Sequence, residues 1–182
     1  MTSRVPLPDD SQLSPEILAT LAALPPLNVF RMMANAPASF LPLINFAMSI
    51  LLQSEFDQRK REIAILRVAH ATRSVYEWTQ HVTIAKSVGL TDDEIARIAA
   101  DGPVAALDAE GNLLCRVADE ISRDVRLSDE ALAAILDRYG ARQATELILC
   151  CSYFNMLSRF LESTRVELES QAVRNPSPPD QE

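Results

Sequence analysis

Signals that start and stop helices recur along this chain, and the stretches between them carry no hairpin dipeptide and few β-branched clusters. Ser14 followed by Pro15 offers an N-cap with proline at the first helical position. Pro25 and Pro26 then interrupt, a second helix is predicted from Leu27 to about Asn35, and Pro37 opens a third that carries the apolar run Phe40 to Leu52. A fourth helix is predicted over Phe56 to Thr72, and a fifth begins at Ser74 and is closed by Gly89. Thr91 to Glu94, "TDDE", is a capping box for a short sixth helix. After the Gly102–Pro103 break come two amphipathic stretches, Gly111 to Val125 and Ser128 to Gly140, and a last helix runs from about Arg142 to Gln171. The expected class is an all-α, multi-helix protomer. Residues 1–13 read as a mobile lead-in, 14–174 as one helical domain, and 175–182, "NPSPPDQE", as a tail that does not fold.

Two helices are apolar on too many sides for one small core, the Phe40 to Leu52 segment and "LILCCSYFNMLSRFL". Burying them calls for a homo-oligomer. Several function classes are excluded. The four glycines, Gly89, Gly102, Gly111 and Gly140, cannot build a phosphate-cradling loop. A net charge of −8 argues against nucleic acid, and the mixed cluster "DQRKRE" reads as a solvated helix start. Cys115, Cys150 and Cys151 contain no CxxC and lie in core-like surroundings, so they read as buried thiols in a reducing compartment. The chain shows no signal sequence and no span of membrane length, so a soluble, cytoplasmic protein is expected.

The informative residues stand on the wrong side of the fifth helix. At about 100° per residue, Tyr76, Thr79, Gln80, Thr83, Lys86 and Ser87 form a solvent face, and Val75, Trp78, Val82, Ile84, Ala85 and Val88 an apolar one. Ser74, Glu77 and His81 fall inside the apolar sector, with Glu77 and His81 adjacent at i and i+4. A buried carboxylate and imidazole must pair to offset desolvation, and the pair can serve as a general acid or base near neutral pH. The alternatives are a structural hydrogen bond or a contact across a subunit boundary. Metal binding is not expected, because the spacing is not that of di-iron bundles and His70 is the only other histidine. Glu62 stands between the stripes of Ile65, Leu66 and Ala69 and reads either as inward-facing or as an exposed first-turn acid. His70 reads as a packing histidine and a candidate contact. Asn155 and Arg159, also i and i+4, could bind an anionic substrate or complete a subunit contact.

These residues lie in a stretch, "REIAILRVAHATRSVYEWTQHVTIAKSVGLTDDEIARI", that resembles the carboxymuconolactone decarboxylase and alkylhydroperoxidase D-like family. "PPLNVFRMMANAP" upstream and "SYFNMLSRFLES" downstream resemble it too, so the likeness covers roughly residues 27–168. It implies an all-helical protomer that assembles as a trimer or hexamer. The peroxidase branch carries a Glu, a CxxC and a His, which fall here on Glu62, Ser74, Glu77 and His81. Both thiols are replaced, so the resemblance points to the cofactor-free branch, a lyase or isomerase acting on a small carboxylated or lactone substrate. Its implied catalytic residues are His81, Glu77 and Glu62, with Ser74, Trp78, His70, Asn155 and Arg159 around the substrate and neither metal nor cofactor. A redox protein using Cys115, Cys150 or Cys151, and a non-catalytic ligand-binding oligomer, are the competing readings.

Overall fold

The computed structural model describes residues 4–169 and is helical throughout, with no strand among the described residues. The helices are α1 Pro15–Ala23, α2 Asn28–Met33, α3 Pro37–Met48, α4 Gln58–Thr72, α5 Val75–Ser87, α6 Asp92–Ile98, α7 Ala109–Asp124 and α8 Asp129–Thr164. A 3-10 turn covers Asp10–Gln12, and a π turn, Ser49–Gln53, follows α3. The expected all-α class is therefore observed. The tail predicted over 175–182 lies outside the described residues.

The chain divides into two compact units, Met1–Phe46 with Ser163–Glu182, and Ala47–Glu162. In the first, Ser14 caps α1 by accepting from the Ile17 amide at 3.3 Å, as the sequence predicts. The lead-in is tied down rather than free. Arg31 of α2 donates to the Pro8 carbonyl at 3.0 and 3.1 Å, and Asn35 donates to the Pro6 carbonyl at 2.9 Å. Leu27 offers no side-chain cap for α2, and the Glu169 carboxylate accepts from the Asn28 amide instead, at 2.7 Å. The last helix ends at Thr164, short of the predicted Gln171, because Arg165 turns into the left-handed region at φ 56.

The second unit is organised around α4, in which every residue from Arg61 to Ala69 is buried. Three of those nine are charged, so each needs partners. Arg67 is completely satisfied. Its Nε and Nη2 fork onto Asp119 of α7 at 2.9 and 2.7 Å, and its remaining hydrogens reach the carbonyls of Ile98, Ala100 and Gly102. Arg61 donates to the carbonyls of Ile50 and Leu51 at 3.3 and 2.8 Å, groups set free by the π turn. Glu62 faces α5.

Local signals place the surrounding helices. Asp57 caps α4, the Thr91–Glu94 capping box starts α6, and Asp108 accepts from the Gly111 amide at 2.7 Å to start α7. Gly140 interrupts α8 at φ 70, ψ 171, a conformation open essentially to glycine alone, where the sequence predicts the boundary between two helices. Cys115, Cys150 and Cys151 are all buried and unbridged, as expected.

Replacing Arg67 by Ala would remove the buried partner of the Asp119 carboxylate and of the Ile98, Ala100 and Gly102 carbonyls. Urea denaturation of Arg67→Ala is expected to show a loss of about 3–5 kcal/mol, the cost of breaking a buried pair from one side. A loss under about 1 kcal/mol, the range of an exposed pair, would contradict this role.

Candidate functional site

α5 does present its polar residues inward, but the buried sector is rotated from the one predicted. Ser74, Glu77, His81 and Ala85 form the buried stripe, while Val75 and Ile84, expected inside, are 65% and 42% exposed. Tyr76, expected in solvent, is buried. The reason is contact with the neighbouring helices. The stripe meets Glu62 of α4 and Phe154 and Ser158 of α8, so polar partners on those helices set the inward direction.

The pairing predicted between Glu77 and His81 is corrected. His81 Nδ1 lies 2.8 Å from Oε2 of Glu62, which is 1% exposed and therefore inward-facing. A carboxylate on Nδ1 holds that proton and leaves Nε2 as the nitrogen free to exchange one. Among the described residues Nε2 makes no hydrogen bond. The ring packs edge-on against Phe154, centroids 4.9 Å apart, which fixes its plane. Glu62 and His81 on adjacent helices thus form a buried acid–base couple.

Glu77 has a different partner and a different state. Its Oε2 meets the Ser158 hydroxyl of α8, and Ser158 lies 2.8 Å from Thr72 Oγ1, which is itself 2.8 Å from the Val68 carbonyl. Burial pushes the Glu77 carboxyl up to about 8, against the hydrogen bond from Ser158 and helped by the charge of Glu162. Thr72 donates to Ser158 and Ser158 donates to Oε2 of Glu77, so the proton of the neutral acid falls on Oε1. Its other oxygen, Oε1, is buried with no hydrogen-bond partner. So is Ser74 Oγ, which stands at the N-cap of α5 and yet caps nothing. Two adjacent unsatisfied polar groups are an expensive arrangement in a core, and one that a ligand or water can relieve.

Ser74 also borders an open cleft of about 720 Å³ at the end of α4 and the start of α5. His70, Arg73, Trp78, Asp101 and Arg123 line it as well. Three predicted substrate contacts, Ser74, His70 and Trp78, therefore come together there. Burial, with the Arg67 charge as a second cause, lowers the pKa of His70, which favours a neutral ring. Asn155 and Arg159 do not join them. Asn155 donates to Ser122 Oγ and the Cys151 carbonyl at 2.8 and 3.2 Å, and its Oδ1 accepts from Arg159 at 2.6 Å, so it is spent on tying α8 to α7. A second hollow of about 520 Å³, walled by Asn112, Arg116 and Glu120, holds no predicted site residue. Sequence reasoning missed Ser158, Thr72, Arg73 and Arg123. Only Arg73 carried a local signal, as the residue closing α4 where no glycine is available.

The cysteines are poorly suited to thiol chemistry. Burial holds Cys115 and Cys151 up at about 12, and Cys150 is raised well above its ordinary value by burial and then by Cys151. Reactive thiolates need the opposite shift. Among the described residues no group of three or more His, Cys, Asp or Glu side chains is placed to hold a metal ion.

An all-helical chain with a buried carboxylate–imidazole couple, and with an unsatisfied serine and carboxyl on the same helix as the imidazole, is the class that fold and site define. Residues 37–120, which include α4 and α5, match the model of the Carboxymuconolactone decarboxylase family. The fold is similar to that of solved alkylhydroperoxidase D-like proteins. An uncharacterized peroxidase-related protein from Ralstonia eutropha JMP134, described as an alkylhydroperoxidase AhpD core, superposes with a TM-score of 0.80 at 15% identity over 96% of this chain and 98% of that one. An uncharacterized peroxidase-related protein from Silicibacter sp. TM1040 gives 0.73 at 16% identity, over 91% and 88%. A protein of unknown function from Agrobacterium tumefaciens gives 0.63 at 16% identity, over 74% and 93%. No curated protein sequence matches the chain.

The state of Glu77 can be read from stability. A folded-state pKa of about 8 against an ordinary 4.5 means that the folded protein keeps a proton the unfolded chain loses between those values. That term therefore lowers stability as pH rises from about 4.5 to about 8. Glu77→Gln cannot ionise, so its stability relative to wild type should climb across this window, by about 1 kcal/mol or more. Chemical denaturation at several pH values measures the difference. A flat difference would mean that Glu77 is ionised when folded.

Proposed function

We propose that this protein is a cofactor-independent lyase or isomerase of the carboxymuconolactone decarboxylase type, with His81 as the proton-transfer residue. The observation that carries this reading is the buried Glu62–His81 couple with Nε2 uncommitted, beside the unpartnered oxygens of Ser74 and Glu77. In a decarboxylation the bond to the departing carboxylate breaks, carbon dioxide leaves, and the electron pair passes into an enolate conjugated with the lactone carbonyl. His81, as the imidazolium, gives its Nε2 proton to carbon and regains one from solvent, while Glu62 holds Nδ1–H and stabilises the charged ring. Glu77, neutral near pH 7, and Ser74 supply hydrogen bonds to the developing enolate oxygen. Proton transfer for isomerisation would use the same groups.

The burial of all three cysteines and their raised pKa values weigh against a thiol-based peroxidase. No described helix is long and apolar enough to cross a membrane, and we place the protein in the cytoplasm, where its thiols stay reduced. The homo-oligomer also remains a proposal. Leu52, Ile84, Leu149 and Met156 are 73%, 42%, 44% and 41% exposed in the single chain, and a second copy would cover them. Light scattering should then give a multiple of 20.1 kDa for the wild type and a smaller species for Ile84→Glu. A monomeric wild type would overturn the expectation.

The activity is tested with 4-carboxymuconolactone, following carbon dioxide release and loss of the conjugated lactone absorbance. Wild type should turn over, and His81→Ala and Glu62→Gln should lose about 100-fold or more in kcat, the scale of general acid–base catalysis. Thiol alkylation should change nothing. Undiminished turnover in His81→Ala would remove His81 from the mechanism. No turnover in the wild type would remove this substrate and the decarboxylase reading with it.

A further inference from the structure

The cleft beside Ser74 has a chemical character of its own. Two guanidinium groups reach it, Arg73 from the end of α4 and Arg123 from α7. Arg123 is half-exposed and pairs with Asp119 at 3.4 Å. The side chain of Arg73 makes no hydrogen bond or ion pair among the described residues. Arg73 is held at φ 58, ψ 32, in the left-handed region that favours glycine. A long cationic residue there carries backbone strain, and no described contact of its side chain offsets that. Two aromatic rings line the cleft as well. Trp78 and His70 meet edge to face, centroids 6.2 Å apart. Asp101 is the one acid on the rim, fully exposed and 4.0 Å from His70 Nε2, so with His70 neutral the cleft has a net positive charge.

We propose that this cleft binds a flat, conjugated carboxylate, its carboxylate received by Arg73 and Arg123 and its face lying along Trp78 and His70. The guanidinium forks suit a carboxylate, and the ring pair suits a planar body. The volume of about 720 Å³ admits a molecule of one or two rings. Ser74, which borders the cleft, stands one helical turn before Glu77, so a ligand here lies at the entrance to the buried acid–base groups. The inference deepens the lyase reading by naming the substrate class and rests on that reading only for turnover, not for binding.

Trp78 is the chain's only tryptophan, so its fluorescence reports this cleft directly. The full-length protein is titrated with benzoate and terephthalate, and with benzamide as the uncharged match. Both carboxylates should produce a saturable change, and benzamide should bind at least tenfold more weakly. Arg73→Asn, which suits the left-handed backbone while removing the charge, and Arg123→Gln should each weaken benzoate about tenfold, the scale of one lost charge-assisted hydrogen bond. Arg138→Gln, outside the cleft, is the control and should bind as wild type. Equal affinity for benzamide and benzoate, unchanged affinity in both cleft variants, or no carboxylate binding would overturn the proposal. His81→Ala separates the two readings: it should lose turnover and keep benzoate binding. Binding without turnover in the wild type would remove the lyase and leave the cleft.

Discussion

The guanidinium of Arg67 is the interaction on which the larger unit depends. It is fully buried, and five hydrogen bonds to Asp119 and to the carbonyls of Ile98, Ala100 and Gly102 satisfy it. A charge taken out of water this completely is tolerable only when every donor is matched. Meeting that condition fixes the end of α6, the turn that follows it and the face of α7 against one point of α4. α4 is thereby held as a buried axis, with a charged residue at each of three inward positions, Arg61, Glu62 and Arg67. The first and last are spent on backbone carbonyls and Asp119. Glu62 is the one left for α5.

From that placement the site follows. A carboxylate fixed on the central helix meets His81 on the next one, so the imidazole is oriented by a rigid neighbour rather than by its own helix. Glu77, four residues earlier, turns to Ser158 and Thr72 and is held neutral by burial. The two buried carboxyl groups thus have different partners, Glu62 the imidazole of His81 and Glu77 the hydroxyl of Ser158. The cleft lined by Arg73 and Arg123 adds recognition at the edge of the same helix pair.

The elements were legible because their signals are local. Caps at Ser14 and Thr91 and the break at Gly140 act over a few residues, and each appears where the sequence places it. The inward direction of Ser74, Glu77 and His81 was legible as well, since periodicity on one helix reports it. The partner of His81 was not, because the choice between Glu77 and Glu62 is made by packing two helices whose contact residues lie 19 apart in sequence. Ser158, 81 residues from Glu77, left no local trace for the same reason. Val75 and Ile84 misled because apolar character alone does not separate a core position from one exposed on the single chain. Asn155 and Arg159 looked available for a ligand, and their mutual hydrogen bond and the Ser122 contact take up Asn155.

The central claim is that Glu62, and not Glu77, governs the imidazole of His81. Nitrogen NMR of the His81 ring, with the neutral tautomer read from the shifts of Nδ1 and Nε2, tests it most directly. The account predicts a proton on Nδ1 and none on Nε2 in the wild type and in Glu77→Gln, with that preference lost in Glu62→Gln. A neutral ring with its proton on Nε2 in the wild type, or a tautomer that responds to Glu77 and ignores Glu62, would contradict it.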